Sequence, residues 1–242
     1  MKDWKQAFGL ATFELKASKG SFLVLFLFFL LMLIFFSTVL NYDVDKKTGL
    51  FDIFVFYIFS SFIMVTVKSK GFQLSQMNKN IVASPTFVML HQLAIKKETI
   101  IKSRFIIHFV YSFPFQLAFL ICLYPITPGI QHALSPSSYI SLAVIWLSFG
   151  FYAGYCFPAS EAGMKKGNVK SMVLSFVWIM GGILIIVDLI PRFTEYSIFY
   201  WTVILAQKWP LVSSLISIIL AVLGIIYYLR YARKSMAKFD YL

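Results

Sequence analysis

The chain has 242 residues, 60% of them hydrophobic and 13% charged, where soluble domains carry roughly 25% charged residues. Its apolar residues come in continuous blocks near the ~20 that one helix needs to cross a bilayer, which excludes a soluble domain and, without alternation, an outer-membrane barrel. A net charge of +12 would suit a nucleic-acid binder, but the basic residues lie between the apolar blocks, where they set membrane orientation.

Residues 3–19 predict an amphipathic helix in the headgroup layer. Trp4, Phe8, Ala11 and Leu15 share one stripe, flanked by Lys5, Thr12, Lys16 and Lys19. Spans are expected at 21–40 and 50–67. The first begins after twenty residues and ends without a small-x-small cleavage site, so it reads as a retained helix. The connection that follows opens with Lys68-Ser69-Lys70-Gly71. Ser84-Pro85 then reads as a helix N-cap with proline at the first helical position. Phe87, Leu90, His91 and Ala94 follow at helical spacing, and a basic run over 95–104 feeds a third span at 105–124. A solvated linker needs no apolar stripe, so this segment is expected to dock on something.

Further spans are predicted at 139–157, 171–190 and 211–229. Pro114 is expected to kink the third span. Gly150, Gly154, Gly181 and Gly182 permit close approach of helices. Residues 191–210 are rich in aromatics, with Phe193, Tyr196, Phe199, Tyr200, Trp201 and Trp209. This stretch is too polar at Arg192, Glu195 and Lys208 for a span and too apolar for a free loop. A re-entrant or interfacial helical hairpin fits both properties.

With the N-terminus placed inside, eighteen Lys and Arg fall on the inner side and four (Lys46, Lys47, Arg192, Lys208) outside. This bias predicts cytoplasmic N- and C-termini in the cell membrane. The reading is an all-α polytopic membrane protein of six spans forming one domain, with no nucleic-acid partner.

No zinc-protease helix motif, Gly-x-Ser-x-Gly elbow or phosphate-binding loop is present, so ATP hydrolysis is not expected in this chain. His91, His108 and His132 fall at different depths and do not converge on a metal. Cys122 and Cys156 are expected at opposite membrane faces, which disfavours a bridge. Asp52, His108, Gln116 and Asp188 are polar residues in or near spans. For Asp52 and Asp188 two readings stand, interfacial positioning and a place on a translocation path.

The order of these parts, and above all 92–105 with its Ile95-Lys96-Lys97-Glu98-Thr99-Ile100-Ile101-Lys102-Ser103 core, resembles the permease subunit of type-2 ABC exporters. Ala94 stands where many members carry proline. The tail Ser235-Met236-Ala237-Lys238-Phe239-Asp240 is weakly similar to tails in that family. Size and short outer loops are most similar to Gram-positive exporters of small amphipathic peptides of the phenol-soluble modulin type. The resemblance implies two permeases, identical or homologous, and two cytoplasmic ATPases that bind ATP and magnesium. Residues 3–19 would be the elbow helix and 84–104 the coupling segment, with Lys96, Lys97, Glu98, Ile100 and Ile101 meeting the ATPase. Asp52, Gln116, Asp188, Tyr196 and Tyr200 would border the path of an amphipathic substrate. The alternatives are an ATPase-independent transporter or channel, a membrane scaffold and an embedded enzyme. A transporter of the first kind should show an internal repeat with broken helices, and an enzyme several polar residues at one depth.

Overall fold

The computed structural model describes residues 2–43, 49–61, 67–73, 75–78, 81–93, 95–161, 164–165, 185, 187 and 189–238. Most of these are helical. The ten helices named here are α1 (Lys2–Ala17), α2 (Lys19–Asp43), α3 (Gly49–Phe59), α4 (Pro85–Gln92), α5 (Lys97–Ile126), α6 (Pro128–Ala133), α7 (Pro136–Gly154), α8 (Cys156–Ser160), α9 (Ile198–Lys208) and α10 (Pro210–Lys238).

Local chemistry fixes several of the starts. The Ser84 hydroxyl accepts the Phe87 N–H at 3.1 Å, with Pro85 opening α4 as its spacing predicts. Ser135 accepts from Ser138 ahead of Pro136 in α7, and Ser197 accepts from Tyr200 at the start of α9. In α5, Glu98 sits in the first turn, where a carboxylate favours the positive end of the helix dipole. This helix runs through Pro114 without interruption.

Among the described residues, four helices are long and apolar enough to cross a membrane: Lys19–Asn41, Lys97–Ile126, Pro136–Ser160 and Pro210–Ala237. The outward faces of α2 and α10 carry exposed Leu23, Leu27, Leu31 and Ile34, and Leu215, Ile219, Val222 and Leu223. Such faces suit hydrocarbon, and the chain is a membrane protein of predominantly helical build.

The second expected span, 50–67, is described only in part, because 62–66 lie outside the described residues, and its described part is interrupted. Helix α3 ends at Phe59, and its eleven residues reach about 16 Å, half the ~30 Å hydrocarbon thickness. Ser60 and Ser61 turn the chain, with Ser61 at φ 60, a left-handed conformation that ends a helix. The fifth expected span, 171–190, lies largely outside the described residues, although 189–194 is helical.

One apolar core joins α2, α3, α5, α6, α7 and α9 around Phe36, Phe59, Phe119, Leu142 and Trp146. A second gathers Phe87, Leu90, Ile100, Ile101, Phe105, Tyr155, Ala159, Ala232 and Met236 from α4, the start of α5, the α7–α8 junction and the end of α10. A small sheet, absent from the sequence reading, lies between them in the chain. Strands β1 (Ser75–Asn78) and β2 (Ile81–Ala83) pair antiparallel, and β3 (Met164–Lys165) pairs antiparallel with β2.

The amphipathic helix α1 forms, and its expected stripe is divided between the protein and the outside. Ala7, Ala11 and Glu14 are buried, and Trp4 and Phe8 of the expected stripe are exposed. Small residues let α1 lie close along α5, and the aromatic side remains free for an interface.

Candidate functional site

Four charged side chains from four separate segments meet in the interior. Glu14 comes from α1, Lys68 from the stretch after the α3 break, Arg104 from α5 and Glu161 from the turn after α8. Arg104 Nη1 donates to Glu14 Oε2, and Lys68 Nζ donates to Glu161 Oε1. The cross pairs are looser: Arg104 Nη1 to Glu161 Oε2 is 3.7 Å and Lys68 Nζ to Glu14 Oε1 is 4.0 Å. Two acids and two bases balance, which is the condition for keeping such charges out of water. Arg104 is 2% exposed and Glu14 1%. Burial raises the Glu14 carboxyl above its ordinary value, opposed by Arg104 and Lys68.

Arg104 is the foot of a polar series on α5. His108, Ser112 and Gln116 follow at four-residue steps, and all are buried. Ser112 Oγ donates to His108 O at 2.8 Å. His108 Nε2 has no hydrogen-bond partner among the described residues.

Gln116 closes the series at the α3 break. Its Nε2 amide donates to Phe59 O at 3.0 Å, to Ser61 Oγ at 3.0 Å and, at 3.4 Å, to Ile58 O. Phe59 O belongs to the last residue of α3 and Ile58 O also takes the Ser61 N–H at 3.3 Å, so the amide ties the end of the helix and the turn after it to α5. Glycines on α7 make the room. A Cβ on Gly150 would stand 2.5 Å from Gln116 Oε1. One on Gly154 would meet Ser61 Oγ at 2.9 Å, His108 Nε2 at 3.0 Å and Ser60 O at 3.3 Å.

Asp52 lies at the other end of α3, fully buried. Its Oδ2 accepts the Ile198 N–H at 2.7 Å and its Oδ1 the Phe199 N–H at 2.9 Å, so it caps α9 from a distant segment. Beside it the Tyr196 and Tyr200 rings stack at 4.7 Å, with Trp201 set edge-on to Tyr196. Asp188 lies outside the described residues. Gln116 and Asp52 therefore sit at opposite ends of α3, and Tyr196 and Tyr200 flank the two residues whose N–H groups Asp52 accepts.

No family model, curated protein or solved structure matches this chain. Its chemistry is therefore read from its own geometry. Among the described residues no group of three or more His, Cys, Asp or Glu side chains is placed to hold a metal.

The five residues expected to meet an ATPase divide sharply. Ile100 is 0% exposed and Ile101 is buried, both in the core formed with α4, α8 and α10. They hold this chain together and present no surface. Lys96 bonds Asp3 at 3.0 Å, Lys97 donates to Met236 O at 3.4 Å, and Glu98 receives both Nε and Nη2 of Arg233. The start of α5 is thus tied to helices at both ends of the chain. On α4 and its cap, the large apolar side chains left outside are Met89, 49% exposed, and Leu93, 51% exposed.

The charge quartet escaped the sequence reading. In the sequence Lys68 stands as an orientation charge opening a loop and Arg104 as one closing the 84–104 coupling segment, while nothing singles out Glu14 and Glu161. One signal was available: Glu14 stands three residues after Ala11 and seven after Ala7, on the small-residue face of an amphipathic segment whose other charges, beyond Asp3, are all basic.

Proposed function

We propose that this chain is the permease subunit of an ATP-driven exporter of the type-2 ABC class. The observation that carries the reading is the α4–α5 junction. A short capped helix buries Phe87 and Leu90 in the chain's own core, leaves Met89 and Leu93 outside, and leads within four residues into a 30-residue helix long enough to span. An ATPase that pushes on α4 therefore acts directly on a membrane helix. Met89 and Leu93 take the anchoring role, and Lys96, Lys97 and Glu98 lie at its edge.

In this account six spans cross the cell membrane and both termini are cytoplasmic. The fifth span falls on 171–190, and 191–210 is the outer hairpin. Helix α1 is the elbow, with Trp4, Phe8 and Phe13 toward the headgroups. Two permeases and two ATPase subunits form the complex, with ATP and magnesium on the ATPases. The cargo is an amphipathic molecule, such as a short peptide, that meets the Tyr196–Tyr200 stack on its way out. Purification of the complex in mild detergent tests the reading. A nucleotide-hydrolysing partner should co-purify and be lost with Met89→Asp plus Leu93→Asp, while a chain that transports without any partner would overturn it.

A second reading, a transporter or channel that needs no ATPase, is favoured by the α3 break, since interrupted helices are common in ion-coupled carriers. The same preparation distinguishes the two.

A further inference from the structure

The charge quartet lies where α1 is held. Between Ala17 and Lys19 the helix axis is interrupted at Ser18, whose N–H bonds to Glu14 O at 3.0 Å and Leu15 O at 3.3 Å. Ser18 Oγ donates to Ser69 Oγ at 3.2 Å and Ser21 Oγ to Val67 O at 2.7 Å, so the α1–α2 joint is fixed to the stretch carrying Lys68. Beyond that joint α1 rests on α5 through the buried Ala7 and Ala11, with Leu10 and Leu15 only partly buried against the cores beside them. Among the described residues, Glu14 is the large side chain that α1 buries fully. The seat of α1 thus has a buried polar half, Glu14 meeting Arg104 with Lys68 and Glu161 behind it, and an exposed half, Asp3 with Lys96 and Trp4 under Lys102.

A permanent joint would be served as well or better by apolar side chains of equal volume, because charges lose their hydration on burial. Charges have a different advantage. When the joint opens, they regain water, whereas an apolar quartet would resist exposure. The closed form is also incompletely satisfied: Glu14 Oε1, Glu161 Oε2 and Arg104 Nε make no hydrogen bond among the described residues.

We propose that Glu14, Lys68, Arg104 and Glu161 form a latch that seats α1 on the foot of α5 in one conformational state. In the other state it parts and water enters between the charges, with Ser18 as the hinge. The latch works whether or not an ATPase drives the chain.

Cysteine accessibility tests it on the full chain, purified in detergent with Cys122 and Cys156 replaced by alanine. A single Ala11→Cys reports the face of α1 that lies on α5, through its rate of reaction with a small water-soluble maleimide. Two further proteins carry this reporter. Glu161→Gln leaves two cations against one carboxylate and should raise the rate at least tenfold. The joint replacement Glu14→Leu, Lys68→Met, Arg104→Met and Glu161→Leu should keep the protein folded and lower the rate at least tenfold, because the joint no longer gains from opening. Equal rates in all three proteins would show a static ion-pair cluster and overturn the latch. Faster labelling in the folded apolar variant would overturn it too. If Glu161→Gln fails to fold, the apolar variant against the unmodified quartet decides alone.

Discussion

Replacing Gly150 with alanine should release the end of α3, although the two are separated by ninety residues. The new Cβ would lie 2.5 Å from Gln116 Oε1, 3.0 Å from its Nε2 and 3.1 Å from its Cδ. The amide is the far end of a flexible side chain and can move, but moving it takes the donor from Phe59 O. That carbonyl belongs to the last residue of α3, and the amide reaches it at 3.0 Å. An unmet buried acceptor costs about 1–3 kcal/mol, and the better helix propensity of alanine returns about 0.5–1 kcal/mol. The net loss should be about 1–2 kcal/mol, read by thermal unfolding in detergent. Gly9 and Gly20 provide the contrast, since an added Cβ meets nothing within 4 Å at either, and alanine there should be neutral or stabilising. Combining Gly150→Ala with Gln116→Ala separates the cause, because without the amide the alanine has little left to disturb. Gly150→Ala as benign as Gly9→Ala, with effects that simply add to those of Gln116→Ala, would refute the link.

The core position of Ile100 predicts that Ile100→Asp lowers folded yield by itself, while Met89→Asp with Leu93→Asp folds normally and loses only its partner; size-exclusion profiles before any pull-down separate the two. Asp52→Asn should loosen α9 by about 1 kcal/mol, since an amide accepts through one oxygen where the carboxylate uses two, and labelling of a cysteine at Thr202 should then quicken. The acid response of Glu14 follows from its raised carboxyl. The folded chain takes up this proton before the unfolded chain does, so stability grows as pH falls from neutral toward the usual carboxylate range. The difference in melting temperature between wild type and Glu14→Gln should widen in wild type's favour between pH 7 and pH 5, and a difference that shrinks would contradict the assignment.

What could be read from the sequence was what depends on near neighbours. Ser84-Pro85 marks a helix start because cap and first turn lie within four residues; Ser135-Pro136 carries the same signal three residues ahead of the span expected from 139. The long apolar blocks of α2, α5, α7 and α10 announce themselves by length. The break in α3 is hidden in the sequence, because Ser60-Ser61 is an ordinary pair inside a span until Gln116, 55 residues beyond Ser61, donates to Phe59 O and Ser61 Oγ. The same holds for Ile100 and Ile101. Their spacing signals an apolar face, but whether a partner or the end of α10 covers it is decided by residues 232–236. The quartet spans residues 14 to 161, and only folding brings those charges together.

Transport in proteoliposomes tests the central claim most directly. Vesicles should hold this chain together with the ATPase that co-purifies with it, with a fluorescent amphipathic peptide inside or outside. The account predicts movement only with ATP, magnesium and both proteins present, and loss of movement with Met89→Asp plus Leu93→Asp despite normal insertion. Movement of the peptide by this chain alone, or ATP hydrolysis indifferent to the α4 substitutions, would contradict it.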